Sequence, residues 1–174
     1  LEKFAGNPII EPEEQHPWES QYTFNPAAVY KNGKVHLVYR AIGSDGISVL
    51  GYASSKNGVH IDERLGEPIY VTKLLDRSKK EPTVHYISTS GGSWGGCEDP
   101  RITEIDDRLY MTYTAFNGYP RVALTSIGTR DFLAKRWMWK EPALISPPGE
   151  VHKNWVVFPE KINGQYAILH NINP

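Results

Sequence analysis

The sequence has little of what marks a disulfide scaffold, a membrane protein or a nucleic-acid binder. Among 174 residues there is one cysteine, Cys97, so no internal disulfide can close and the thiol fits a reducing, cytoplasmic compartment. No apolar run approaches the roughly 18 residues of a membrane span, and the N-terminus has no signal-peptide pattern. A formal net charge of −1 gives no field to gather nucleic acid or an anionic membrane, which excludes both as partners. The six histidines include no pair at metal-ligand spacing, so no metal is expected. Gly91-Gly92 and Gly95-Gly96 lack a strand-to-helix context, which argues against a phosphate-cradling loop. No low-complexity tract or internal linker is present.

What remains is the composition of one folded domain. Hydrophobic residues make up 40% and charged residues 22%, in the range of globular rather than disordered chains. Ten tyrosines and five tryptophans are many for this length. In a non-basic chain they point either to β-rich packing or to a sugar-stacking cleft.

The chain repeats itself. Asn25-Pro26 recurs as Asp99-Pro100, Asn32-Gly33 as Asp106-Asp107, Tyr39-Arg40-Ala41 as Tyr113-Thr114-Ala115, and Glu67-Pro68 as Glu141-Pro142. Every pair is separated by 74 residues. Self-similarity at tens of residues is the signature of solenoids and propellers. One copy has Asn where the other has a carboxylate, so a scaffold is reused while its chemistry changes.

Within each copy, strand signals dominate. Runs at 26–30 and 34–41 flank Lys31-Asn32-Gly33, and Asn-Gly between β-rich runs is the strongest short-range hairpin signal. Further extended runs are expected at 48–54, 59–61 and 67–71, giving about four hairpin-linked strands, the content of one propeller blade. The second copy follows with 101–105, 109–115, 121–126 and 142–145, and residues 129–135 read as a turn or a single helical turn. A third opens at Val156-Val157-Phe158-Pro159-Glu160 and turns at Asn163-Gly164. It is a looser match, with four residues from Pro159 to Asn163 against six from Pro26 to Asn32. The units expected are therefore 22–73, 96–147 and 155–174, with 7–10 as an outer closing strand. The fold class is all-β, about two and a half blades of a β-propeller. The ends at Leu1 and Pro174 read as cuts in a longer fold, and the incomplete ring predicts self-association or a chain supplying the missing blades. Residues 74–96 are the least patterned, with 76–80 solvated and 90–93 a loop.

In a propeller the first strands of the blades line the axis, so Asn25, Asp99 and the 158–160 region should converge. A carboxylate there is placed to act on a ligand over the axis. Each following proline should hold Asn25 or Asp99 extended; alternatively, x-Pro merely starts a strand.

Phe24-Asn25-Pro26-Ala27-Ala28, Tyr39-Arg40-Ala41, Gly43-Ser44-Asp45-Gly46, 50–55, Glu98-Asp99-Pro100-Arg101 and Tyr113-Thr114-Ala115 together resemble glycoside hydrolase family 130, from about Asn7 to Pro174. The resemblance implies a five-bladed propeller that cleaves β-mannosidic bonds with inversion, by phosphorolysis or in some branches hydrolysis. Asp99 matches the general acid, which delivers its proton through a sugar hydroxyl, and phosphate replaces the activated water. No cofactor is implied; inorganic phosphate is a possible co-substrate. Asn25 and Arg40 match residues near the sugar and the acid, and Ser44, Asp45, Glu98 and Arg121 lie in matching segments as sugar-contact candidates. Ser44-Asp45-Gly46 is equally good turn chemistry, Glu98 could instead pair with Arg101 or another base, and Arg121 could form a surface salt bridge.

The departures from the family pattern bear on phosphate. Lys153 and His170 are candidates to hold it, but Asn171 stands where many of the phosphorylases have Arg, which removes a cation. Other five-bladed sugar-cleaving propellers use three inner-strand carboxylates. Here Asp99 and Glu160 fit and Asn25 does not, and Glu160 could also be a hairpin residue paired with Lys161. Trp94 could stack on a sugar, whereas Trp137, Trp139 and Trp155 suit packing between blades. Cys97 beside Glu98 and Asp99 should have a raised thiol pKa. Two functional classes follow: a mannoside-cleaving enzyme or fragment of one, and a non-catalytic carbohydrate-binding or assembly module.

Overall fold

Two antiparallel units of matching build make up most of the computed structural model, which describes residues 2–74 and 91–170. In the first, β1 (Tyr22–Lys31), β2 (Lys34–Ile42) and β3 (Ile47–Ser55) form a meander, with β4 (Glu63–Arg64) on the outer edge of β3. In the second, β5 (Gly95–Ile105), β6 (Arg108–Asn117), β7 (Pro120–Gly128) and β8 (Ala143–Leu144) repeat the order. A third hairpin pairs β9 (Val156–Val157) with β10 (Ile168–Leu169). The one helix among the described residues is α1 (Thr129–Leu133), a single turn where a turn was expected. The chain is all-β, and the described residues close no ring.

The turns form for the expected reason. Asn32 and Gly33 have φ of 50° and 73°, and Asn163 and Gly164 repeat this at 52° and 79°. Positive φ at both central residues matches the twist of the flanking strands, and Asn and Gly are the residues that tolerate it. The outer strands are weaker than their sequence suggested. Residues 59–61 form no strand, and the run at 67–71 reduces to one bridge, Leu50 to Tyr70. Residues 7–10 form no ladder; Ile9 and Ile10 instead pack on Leu37 and Tyr39.

One expectation is overturned at the place that matters most. Asn25 and Asp99 are not extended: their φ values are 46° and 49°. Each sits in a bulge, where the register jumps from Phe24 to Ala27 and from Glu98 to Arg101. A following proline disfavours the right-handed helical region. It leaves the left-handed region open, and Asn and Asp occupy that region more readily than other non-glycine residues. The bulge leaves the strand path and changes the direction of the side chains around it.

The units meet where β3 and β5 run parallel for two residues, Ile47 opposite Gly95 and Ser48 opposite Gly96. Gly96 has φ 112°, and a Cβ there would lie 2.1 Å from the Ser48 carbonyl oxygen, so only glycine fits. Between the units lies one core. Val38, Leu50, Tyr52 and Tyr70 from the first pack with Leu109, Met111, Tyr113 and Ile127 from the second. Phe132 on α1 is the wedge, edge-on to His36, Tyr52, Trp137 and Trp139. Truncating a buried ring of this kind costs about 3–5 kcal/mol, so the short helix matters more than its length suggests. Trp137 and Trp139 also meet Tyr52 and Tyr70, which bears out their expected place between units. Trp155 lies instead against His152 and His170.

His36 makes this core sensitive to acid. Its Nε2–H faces the Lys31 carbonyl at 3.2 Å, which leaves Nδ1 to accept from the Tyr52 hydroxyl at 2.7 Å. Burial is the main cause that lowers its pKa below the ordinary histidine value, against the Lys31 carbonyl and Glu63, with Lys34 and Lys135 adding to the fall. The unfolded chain therefore binds this proton at higher pH than the folded one. Stability should be full above about pH 6.5 and fall as the pH drops through that value. Urea midpoints at pH 7.5 and 5.5 check this, and His36→Gln should narrow the gap between them.

Candidate active site

The 74-residue repeat places equivalent residues in contact. Asn25 from β1 donates through Nδ2 to Oδ1 of Asp99 from β5, at 2.8 Å. The two bulges thus face each other, and the asymmetry of the repeat supplies one amide donor and one carboxylate acceptor. Asp99 Oδ1 also accepts from Arg40 Nη1 at 3.1 Å, and its side chain stays 12% exposed. Among the described residues no donor reaches Oδ2.

Arg40 is the organiser, only 2% exposed. It sits on β2, and its neighbours come from three strands and the loop before β5. Nε donates to Ser48 at 2.9 Å, and Nη2 donates to Ser93 at 3.0 Å and to Glu98 at 3.1 Å. The ring of Phe24 lies 4.6 Å from the guanidinium carbon, a cation–π contact on its face. The planar fork suits this position as a lysine would not, because the donors leave it in fixed, divergent directions.

Glu98 is fully buried, with no exposed side chain, so it is not an open sugar contact. Its partner is not Arg101, which donates to the Pro100 carbonyl at 3.0 Å and reaches Asn154. Oε1 accepts from Arg40 and from Ser93 at 2.8 Å, and Oε2 from Lys153 at 2.9 Å. Lys153, expected as a point charge for phosphate, is thus held against a carboxylate. His170 is exposed and lies with its ring 4.9 Å from that of Trp155. Asn171 lies outside the described residues.

Other candidates fall away from this cluster. Arg121 donates to the Ser146 carbonyl, neither a salt bridge nor a contact of Asp99. Asp45 accepts from the Ile47 amide at 3.0 Å and shapes its own turn, while Ser44 is exposed and its amide meets the Pro17 carbonyl. Trp94 donates to the Asp45 carbonyl at 2.7 Å. Glu160 is exposed, and Lys161 lies over Tyr166 rather than beside it. Cys97 is pushed up to about 12, chiefly by burial, with Glu98 a smaller cause than its sequence position implied.

Sequence reasoning missed Ser48, Ser93 and the ring of Phe24. One signal was available: Phe24 and Glu98 are also repeat equivalents, and they flank Arg40 from the two units. Nothing in the sequence marks the serines. It also missed a buried network on the first unit, where Glu19 accepts from Tyr39 and pairs with Arg64, both at 2.7 Å. Glu13, His16 and Glu19 lie close enough to one another to suggest a cation, but the Arg64 guanidinium already pairs with both carboxylates.

A family model described as beta-1,4-mannooligosaccharide phosphorylase matches residues 1–174. The chain belongs to glycoside hydrolase family 130. Two relatives from Thermoanaerobacter sp. (strain X514) agree. The chain is 34% identical to a 1,2-beta-oligomannan phosphorylase and 30% identical to a beta-1,2-mannobiose phosphorylase. All of the chain is matched, but only 54% and 55% of those relatives. A solved family 130 structure, from a group described as containing glycoside hydrolases that target beta-1,2 mannosidic linkages in Candida mannan, superposes with a TM-score of 0.73 at 28% identity. It covers 95% of this chain and 51% of that one. The chain therefore spans about half the length of the family 130 proteins it matches.

Proposed function

We propose that this chain provides the acid side of a family 130 active site that cleaves β-mannosidic bonds with inversion, with Asp99 as the general acid. The observation behind this reading is the convergence on one oxygen of Asp99. Asn25 and Arg40 occupy Oδ1 and fix the carboxyl group, while Oδ2 meets no donor among the described residues and belongs to a side chain that retains exposure. A proton leaving that oxygen passes through a sugar hydroxyl to the glycosidic oxygen as the anomeric C–O bond breaks. In phosphorolysis a phosphate oxygen forms the new bond from the opposite face, giving mannose 1-phosphate, and no general base is required.

The names of the relatives favour phosphorolysis. Hydrolysis is the second reading, motivated by the solved family member from the hydrolase group and by Asn171, which supplies no cation. Products decide between them. β-Linked manno-oligosaccharides should give mannose 1-phosphate only with inorganic phosphate present; free mannose regardless of phosphate means hydrolysis. Glycan binding that survives Asp99→Asn, with no turnover of any mannoside, would instead support a non-catalytic binding module.

In this reading the units are blades of a five-bladed ring, and the reaction takes place in the cytoplasm. Tyr166 and Leu169, both 61% exposed on the third hairpin, and Tyr22 at 52% are large apolar side chains left uncovered. We expect this chain alone to self-associate or to pair with a chain holding the other blades. Sedimentation velocity should show a coefficient that rises with concentration, and a constant monomer value would refute this.

A further inference from the structure

Glu98 and Asp99 are neighbours in sequence, yet both reach the same guanidinium. Arg40 lies 3.1 Å from Glu98 Oε1 and 3.1 Å from Asp99 Oδ1. In a regular strand consecutive side chains point to opposite faces. The bulge at Asp99 removes that alternation, so β5 presents two successive carboxylates to one cation. Only one of them keeps a route to ligand. Asp99 is 12% exposed, and Glu98 is completely covered.

A buried carboxylate needs compensation on both oxygens, and Glu98 receives it from two directions. Oε1 accepts from Arg40 on β2 and from Ser93 ahead of β5. Oε2 accepts from Lys153, which arrives on the segment leading to β9. That segment is fixed nearby by Thr112 Oγ1 to the Trp155 carbonyl at 2.5 Å and Thr103 Oγ1 to the Val157 carbonyl at 2.8 Å. The carboxylate is thus a common anchor for a cation of the first unit and a cation of the segment that leads to β9.

We propose that Glu98 is a positioning residue: its buried carboxylate sets both the Arg40 guanidinium that holds Asp99 and the Lys153 ammonium on the opposite side. It touches no substrate. Its effect on turnover passes through Asp99 by way of Arg40, and through whatever anion Lys153 meets at the site. This rests on the reading of Asp99 as the acid of a mannoside-cleaving centre, and it assigns to Glu98 a role different from sugar contact. Glutamine at 98 would keep an oxygen for Arg40 and Ser93 but turn an amide N–H toward Lys153.

The test has a kinetic arm and an arm independent of turnover, both in the full-length protein. Glu98→Gln should lower kcat for β-mannoside phosphorolysis by roughly tenfold or more and raise KM for phosphate, while KM for the mannoside changes little. A sugar-contact role predicts the reverse, with the loss confined to KM for the mannoside, and would overturn the proposal. In the second arm, the native protein is acetylated with limiting acetic anhydride and each lysine is followed by peptide mass spectrometry. Lys153, 18% exposed and held on Glu98, should react at least severalfold more slowly than the exposed Lys73, and Glu98→Gln should raise its rate. A Lys153 that reacts as fast as Lys73 in the unmutated protein refutes the tie without needing any variant to fold. If the unmutated protein turns over no β-mannoside, the proposed function fails, while the lysine reactivity still decides whether Glu98 holds Lys153.

Discussion

Asp99→Asn is expected to lower turnover of β-linked manno-oligosaccharides by roughly 10²–10⁴-fold, the contribution of a positioned general acid. The substitution keeps the shape of the side chain and an oxygen for Asn25 and Arg40, so the bulge and its left-handed backbone should persist; Asn25 already occupies the same conformation in the first unit. What is lost is the proton. The loss should therefore depend on the leaving group. An aryl β-mannoside whose phenolate departs without protonation should lose far less rate than a sugar leaving group. A uniform loss across both substrates would mean that Asp99 acts in binding or structure, and near-unchanged turnover would remove it from the mechanism. Unfolding curves of the variant in urea separate these outcomes from a simple folding defect.

The second large effect concerns stability. Arg40→Met should destabilise the fold by about 3–5 kcal/mol, because it breaks a buried ion pair by removing one partner. Glu98 would remain fully covered with Lys153 and Ser93, and Asp99 would keep only Asn25 on Oδ1. With a urea slope of about 2 kcal/mol per M, the midpoint should fall by about 2 M. Arg40→Lys should recover only part of this. A single ammonium cannot reach Ser48, Asp99, Ser93 and Glu98 together, and it loses the flat face that lies on Phe24. A midpoint within about 0.5 M of the unmutated protein for Arg40→Met would show that the cluster contributes little to folding.

The internal repeat was legible because it is written in turn and bulge residues. Asn32-Gly33 and Asn163-Gly164 require positive φ at both turn positions, and few residue types satisfy that requirement. The meanders followed from alternation and β-branched content; four of the six long strands match the expected runs to within two residues at each end, while β1 and β5 begin four and six residues earlier, on the far side of their bulges. The outer strands were less legible. At 59–61 and 67–71 the apolar residues are present, but the pairing edge is short, and strand propensity alone does not hold an edge strand in register.

Asn25 and Asp99 could be singled out from sequence because their motifs are spaced by the repeat, and Arg40 because Tyr39-Arg40-Ala41 is part of the family 130 resemblance. Their geometry could not. Reading x-Pro as extended gives the wrong backbone, since proline limits its predecessor without choosing between the extended and left-handed regions. Glu98 and Lys153, 55 residues apart, pair only because the segment leading to β9 returns to the start of β5. Ser48 and Ser93 join because β3 and β5 run side by side where Ile47 meets Gly95, and no local pattern marks them.

By itself, then, the sequence determined the repeated hairpins, the all-β class, and the one asymmetry between repeats, Asn against Asp, that separates scaffold from chemistry. These are local properties, set by backbone preferences within a few residues. The tertiary structure alone decided which carboxylate is open and which is buried. It also decided that both share Arg40 and that a lysine from the segment leading to β9 completes the cluster. Those outcomes depend on where distant strands meet and how much water their meeting excludes, and neither is encoded within a single segment.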